Sequence, residues 1–210
     1  MDERRFHRLW RDSGGANDPA AIFSEVWALY GEPTRYYHTR RHIQYCLDVY
    51  DDAAQEMGSD DAVEMAVWFH DVIYEIGAQD NEARSVQWFR DRASPGMHPE
   101  FVDDVCRLIM ATLHKEAPGD LQGQFVVDID LAGLGQDWDE FFTDTRNIRK
   151  EMQAISDSEF ALRQGRFLES LMNRQTIYCT PQFQRHREAA ARENIARLLN
   201  LLQSNVDWSD

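Results

Sequence analysis

The feature that most constrains this chain is the stretch 66–75, AVWFHDVIYE, in which a histidine and an aspartate interrupt an apolar run. A carboxylate in core-forming sequence is unfavourable unless it is hydrogen-bonded, ion-paired or bound to a cation. Imidazole and carboxylate groups are both metal ligands. We therefore interpret His70 and Asp71 as neighbouring ligands of a divalent metal ion.

Helical periodicity dominates the rest of the chain. Apolar residues recur at three- and four-residue spacing. The pattern predicts helices over 3–12, 102–113, 137–152, 156–173 and 181–203. It also predicts a helix that begins at Pro19, one that ends at Gly58, one that runs from Ser59 into Asp71 and one that begins at Asp80. The only strand-like run, Phe125-Val126-Val127, is too short to carry a sheet. The sequence predicts an all-α fold.

One domain is expected over residues 1–210, because 210 residues can bury a sizeable core and no repeat or long linker divides them. We divide it into N-terminal helices (1–33), a metal-binding core (34–135) and C-terminal helices (136–210).

Charge and hydropathy exclude several classes of protein. The formal net charge of -15 argues against a nucleic-acid partner, which requires a basic face. No apolar run approaches the ~20 residues of a membrane helix, and the N-terminus lacks the apolar segment of a secretory signal. Three widely spaced cysteines do not form a disulfide framework. We expect a cytoplasmic protein that binds neither nucleic acid nor membrane.

Further ligand candidates flank the His-Asp pair, namely His38 with His42, then His114, and then Asp128 or Asp130. Two imidazoles and two carboxylates leave about two positions open on an octahedral ion. Water on such an ion becomes a better nucleophile, and the ion polarises a phosphoryl oxygen. This donor set suits Mn, Mg, Fe, Co or Zn and does not distinguish among them.

The pattern H…HD…D resembles the HD-domain superfamily of metal-dependent phosphohydrolases. A bacterial branch of predicted phosphohydrolases is similar over residues 35–197, through RYYHTRRHI, AVWFHDVIYE, DNEARS, IMATLH, VDIDLAGLG, GRFLESLMNRQTIYCT and AARENI. The resemblance implies an all-α bundle with a metal site between its central helices. It also implies hydrolysis of a small phosphate ester or nucleotide by metal-activated water.

The resemblance also implies a ligand set, with His38 first, His70 and Asp71 as the doublet, and Asp130 last. Asp128 is the substitute for Asp130, because residues two apart on a helix point in different directions. Related proteins with a second metal carry additional histidines before the last aspartate. Only His114 lies in a matching motif, so we expect one divalent ion, with His114 as a ligand if there is a second.

Acidic residues near the doublet are candidates for catalysis. Asp71 itself should be indispensable for activity. Glu75 lies four residues after Asp71 and could act as general base if the helix continues through it. Glu82 of DNEARS is the second candidate for that role, although DNEARS could also be only a helix N-terminus capped by Asp80.

Basic residues are candidates for binding the phosphate group of a substrate. We assign this role to Arg35, Arg41 and Lys115, with Arg35 best placed because it lies three residues before His38. His42 is a candidate for supporting a ligand or contacting phosphate.

Two other functions fit the same residues. One is a di-iron oxygenase of the HD type, which would need His114 and a further ligand. The other is a non-enzymatic regulatory or assembly protein that a metal ion stabilises. The leucines of the last helix leave a homodimer open.

Overall fold

The computed structural model describes residues 2–204 and residue 208, and these residues contain no β-strand. The prediction of an all-α fold is confirmed. In the described ranges the α-helices are α1 (Glu3–Asp12), α2 (Pro19–Leu29), α3 (Arg40–Met57), α4 (Asp61–Phe69), α5 (Asn81–Ala93), α6 (Pro99–Ala111), α7 (Leu121–Asp130), α8 (Trp138–Glu151), α9 (Asp157–Met172) and α10 (Pro181–Leu202). A 3-10 helix, Leu131–Gly135, follows α7 directly.

Local capping chemistry explains most helix starts. Side chains at the N-cap positions accept hydrogen bonds from backbone N–H groups of the first turn in α1, α2, α3, α4, α7 and α9, through Asp2, Asp18, Thr39, Asp60, Asp120 and Ser156. Gly58 ends α3 with a φ of 85°, a backbone conformation that glycine adopts without strain. Asp80 precedes α5 but makes no capping hydrogen bond through its side chain.

The strand-like run at 125–127 is helical. Phe125, Val126 and Val127 lie in the middle of α7 and are all buried. Valine lowers helix propensity by less than about 1 kcal/mol, and burial of each side chain outweighs that preference. Helix α7 packs against α3, α4 and α6, so its apolar residues face neighbours on several sides.

Helix α4 is the centre of the fold. Each residue from Ala62 to Phe69 is buried, and the helix packs against α3, α5, α6 and α7. Trp68 meets Phe6 of α1 edge to face, with ring centroids 5.1 Å apart. Helix α4 ends at Phe69, so the predicted continuation through Asp71 is too long, and His70 is its C-cap residue. His70 and Asp71 therefore lie directly after the last turn of α4.

None of the described helices is long and apolar enough to cross a membrane. The last helix, α10, packs against the 3-10 helix and α9, and its Leu198 is fully buried in the core of its own chain.

Candidate metal centre

Four side chains from three parts of the chain converge at the end of α4. His42 comes from α3, His70 and Asp71 follow α4, and Asp130 ends α7. The Nε2 atom of His70 lies 3.1 Å from Oδ2 of Asp71 and 3.4 Å from Oδ1 of Asp130. The Nε2 atom of His42 lies 3.8 Å and 3.5 Å from the same two oxygens. We call these four residues the floor of the site.

The donor set of the floor fits a divalent cation. Metal bonds of about 2.0–2.2 Å place neighbouring ligand atoms about 3 Å apart, close to the spacings of the floor. His70 donates its Nδ1–H to the Val67 carbonyl at 3.0 Å. Its Nε2 is buried and has no hydrogen-bond partner. An imidazole fixed in this way directs Nε2 toward two carboxylates, and a cation bound between them would take the place of the Nε2 proton.

The compact groups of possible ligand atoms are His42 with His70 and Asp71, and His42 with Cys46 and Asp130, each within 4.8 Å. Burial raises the pKa of the Cys46 thiol well above its usual range, and the Asp130, Asp71 and Asp144 carboxylates raise it further. The floor consists of nitrogen and oxygen donors, which suit a hard or borderline divalent cation.

Opposite charges stabilise the carboxylates of the floor. Burial alone would raise the pKa of Asp71, but His70 and His38 lower it below the usual range. The pKa of Asp130 is also lowered, because His70 and His114 overcome the effect of burial. Burial lowers the pKa of His70, while Asp71 and Asp130 raise it well above its ordinary value. Both carboxylates are ionised at neutral pH, as metal ligation requires.

The two aspartates of α7 have different surroundings. Asp130 faces the floor, whereas Asp128 is fully buried and points to the start of α10. There Asp128 accepts hydrogen bonds from the backbone N–H groups of Cys179 and Thr180 and from the Thr180 hydroxyl, each at 2.7 Å. Burial raises the pKa of Asp128 to about 6 despite these donors. Asp128 thus connects α7 to α10, and Asp130 is the residue left for a cation.

The structure brings His42, and not His38, into the floor. Helix α3 begins at Arg40, so His38 precedes it and does not share a helical face with His42. The His42 and His70 ring centroids are 5.5 Å apart, and those of His38 and His42 are 6.0 Å apart. His38 lies beside the floor, in the wall of the cleft above it.

Glu151 holds His38 in place and was missed by the sequence analysis. Its buried carboxylate accepts hydrogen bonds from the backbone N–H groups of Tyr36, Tyr37 and His38 at 2.8, 2.8 and 2.9 Å. Its other oxygen lies 2.6 Å from Nδ1 of His38. The ring of Tyr74 stacks on the imidazole, with centroids 3.8 Å apart. We call His38, Tyr74 and Glu151 the rim of the site.

The position of Glu151 in its helix was a signal for this role. It is the last residue of α8, where the helix dipole disfavours an acid. Burial alone would raise the pKa of Glu151, but the His38 imidazole and the backbone donors lower it. Burial lowers the pKa of His38, and the Asp71 and Glu151 carboxylates reverse that effect and raise it.

An open cleft of about 390 Å³ lies over the floor. Its lining includes the polar side chains His38, Asp71, Glu82, His114 and Asp130 together with apolar and polar side chains of α8 and α9. Comparison with protein-family models, curated proteins and solved structures finds no match to this chain. The chemistry of the site must therefore be inferred from its geometry.

His114 belongs to the cleft. Helix α6 ends at Ala111, so the helix C-terminus predicted for His114 lies three residues earlier. His114 has a φ of 54°, in the left-handed region. Its Nε2 is 2.8 Å from Oδ2 of Asp130, and its Nδ1 is buried without a hydrogen-bond partner. His114 therefore fixes the carboxylate of Asp130 from the side of the cleft.

The two acids proposed as general base are in different positions. The premise for Glu75 was wrong, because the helix ends before it. Glu75 is 68% exposed in its side chain and pairs with Arg84 at 2.6 Å, away from the cleft. Glu82, in the first turn of α5, lines the cleft. Burial raises the pKa of Glu82, and the Asp71 and Asp130 carboxylates raise it further.

Arg35, assigned to phosphate binding from the sequence, has a buried guanidinium that is engaged by other groups and does not line the cleft. It donates to the carbonyls of Asp71 at 2.7 Å and Val72 at 3.0 Å, and to the Glu32 carboxylate at 3.0 Å. Arg35 thereby holds the backbone of the doublet in position.

The other two cations are exposed and lie outside the cleft. Arg41 lines a groove beside α3 and α8, and Lys115 lines another groove after α6. The described cleft therefore does not include the three cations that the sequence analysis assigned to phosphate.

Proposed function

We propose that this protein is a metal-dependent phosphohydrolase that holds one divalent cation with His42, His70, Asp71 and Asp130. The observation that supports this proposal best is the buried Nε2 of His70. It lacks a hydrogen-bond partner and faces two carboxylates beneath an open cleft. A core histidine with only a structural role would normally have both ring nitrogens hydrogen-bonded.

The proposed reaction is hydrolysis of a small phosphate ester. The oxygen of a water molecule bonds to phosphorus, the ester P–O bond breaks, and the leaving alkoxide takes up a proton, giving an alcohol and inorganic phosphate. When bound, a divalent cation would polarise a phosphoryl oxygen and lower the pKa of a water molecule.

The residues of the chain have separate roles in this scheme. Asp71 and Asp130 supply negative charge to hold the cation, and His114 keeps Asp130 oriented. Glu82 lines the cleft and is the acid that can accept the proton of the attacking water; burial raises its pKa, which favours that role. His38, fixed by Glu151, donates a hydrogen bond toward the reacting phosphate.

Elemental analysis of the purified protein, combined with assays of phosphate esters, tests this function. We expect about one metal ion per chain and metal-dependent hydrolysis of phenyl phosphate. Asp71→Asn should abolish metal binding and lower kcat/KM about 1000-fold while leaving the helical content unchanged. Asp103→Asn is the control, because Asp103 forms an exposed ion pair with Arg90 and does not line the cleft. Unchanged activity in Asp71→Asn would rule out the proposed function.

A di-iron oxygenase is the second candidate, favoured by the contact of His114 with Asp130. It predicts two irons per chain and oxygen consumption. The non-enzymatic alternative predicts that Asp71→Asn lowers the melting temperature although the wild-type protein has no activity to lose.

A further inference from the structure

The charges in the cleft indicate which phosphate esters it accepts, provided that the proposed phosphohydrolase function is correct. The carboxylates that line the cleft are Asp71, Glu82, Asp130 and Asp144. Among the described lining residues, Arg163 is the one arginine or lysine. Its side chain is 53% exposed and is bonded to Glu159 at 2.8 Å.

This distribution does not suit a substrate with several negative charges. A single phosphate group can lie beside the floor, where a cation compensates its charge. A second phosphate or a carboxylate elsewhere in the cleft would approach the carboxylates that line it. Arg41 interacts with Asp144 but does not line the cleft, and Arg163, which does, is engaged by Glu159. Like charges at close distance in a partly buried site repel by about 1 kcal/mol or more.

A second part of the cleft lining is apolar. Phe141 and Ile148 of α8 and Met152, the residue after α8, contribute to it together with Phe167 of α9. The ring of Phe167 lies 6.4 Å from that of His114, centroid to centroid, so the apolar surface begins next to a polar residue of the cleft. A ligand with a phosphate at one end and a hydrocarbon group at the other would match both parts.

We propose that the substrate is a phosphate monoester with an uncharged, apolar alcohol, such as an aryl or short alkyl group. The cleft volume of about 390 Å³ suits such a small molecule. Nucleoside diphosphates and triphosphates are excluded as preferred substrates, because their additional phosphates would place more negative charge beside the carboxylates that line the cleft.

Two phosphonates that are not hydrolysed test this inference by binding alone. Phenylphosphonate and 4-carboxyphenylphosphonate share a ring and differ in one carboxylate. Isothermal titration calorimetry on the metal-loaded protein should give about ten-fold tighter binding of phenylphosphonate than of 4-carboxyphenylphosphonate. Phenylphosphonate should also bind about ten-fold tighter than inorganic phosphate, because its ring is buried against the apolar surface.

A pair of variants on one helix supplies the control. Phe167 and Leu162 both lie on α9 and are 37% and 48% exposed, but only Phe167 lines the cleft. Phe167→Ala should weaken phenylphosphonate binding about five- to ten-fold and leave inorganic phosphate binding unchanged. Leu162→Ala should change neither.

The possible failures are distinguishable. Equal or tighter binding of 4-carboxyphenylphosphonate, absence of phenylphosphonate binding, or equal effects of the two variants would overturn the substrate class. Metal-dependent hydrolysis of other phosphate esters would still stand in each case. Absence of metal and of hydrolysis would instead overturn the function itself.

Discussion

The floor and the rim of the site are built in different ways. The floor consists of four ligand-type side chains whose nitrogen and oxygen atoms lie 3.1–3.8 Å apart. The rim consists of one imidazole fixed by a carboxylate of α8 and a stacked tyrosine. In the floor a nitrogen is left without a hydrogen bond, whereas in the rim Nδ1 of His38 has a carboxylate partner. Under the proposed function, this difference assigns cation binding to the floor and substrate orientation to the rim.

The largest expected effect comes from replacing the histidine of the floor and the histidine of the rim by alanine in separate variants. His42→Ala should lose the metal and lower kcat/KM about 1000-fold, because a floor ligand is removed. His38→Ala should keep the metal and lower kcat/KM about 100-fold. Elemental analysis and phosphatase assays of both variants measure these effects. If His38→Ala loses the metal and His42→Ala keeps it, the ligand set implied by the family resemblance is right, and the geometric assignment is wrong.

A smaller effect separates the two acids proposed as general base. Glu82→Gln should lower kcat about 100-fold with the metal retained, because an acid in the cleft is removed. Glu75→Gln is its matched control and should change kcat less than about two-fold, since Glu75 pairs with Arg84 at the surface. Equal losses in both variants would contradict a role for Glu82 in proton transfer.

The smallest effect concerns the link between α8 and the rim. Glu151→Gln should lower kcat/KM about ten-fold, because His38 loses its charged partner, and should lower the free energy of unfolding by about 2 kcal/mol. The metal content should not change. Steady-state kinetics and urea denaturation measure the two losses.

The stability loss in Glu151→Gln should depend on pH in a defined direction. The pKa of Glu151 is lowered in the folded protein from an ordinary value of 4.5, so its contribution is complete above pH 4.5 and declines as the pH falls through the lowered value. The pKa of His38 is raised from 6.5, so its contribution is complete below pH 6.5 and declines as the pH rises through the raised value. The difference from wild type should be largest between pH 4.5 and 6.5. A difference that does not vary between pH 4 and 8 would contradict an ionic pair.

Local sequence determined the helices of this protein. Periodicity and capping residues predicted the bounds of α1, α8, α9 and α10 to within one or two residues, because these signals act over a few neighbours. Asp18 and Thr39 cap their helices through contacts two residues away. The run 125–127 looks strand-like in sequence but is helical, because the strand preference of valine is weak and α7 packs against three helices.

Sequence also singled out the His-Asp doublet, because polar residues in an apolar run conflict with their neighbours. The family resemblance implied His38 as the ligand and left His42 as a supporting residue, whereas the structure places His42 in the floor and engages His38 with Glu151, more than 110 residues away. Sequence could not show that Arg35 serves the backbone of the doublet, across 36 residues. Helix geometry predicted that Asp128 and Asp130 point in different directions. Only the structure shows that Asp128 is hydrogen-bonded to the start of α10, which leaves Asp130 at the floor. Helix formation depends on near neighbours in the chain, whereas the direction of a buried charge depends on partners that only the tertiary structure brings into contact.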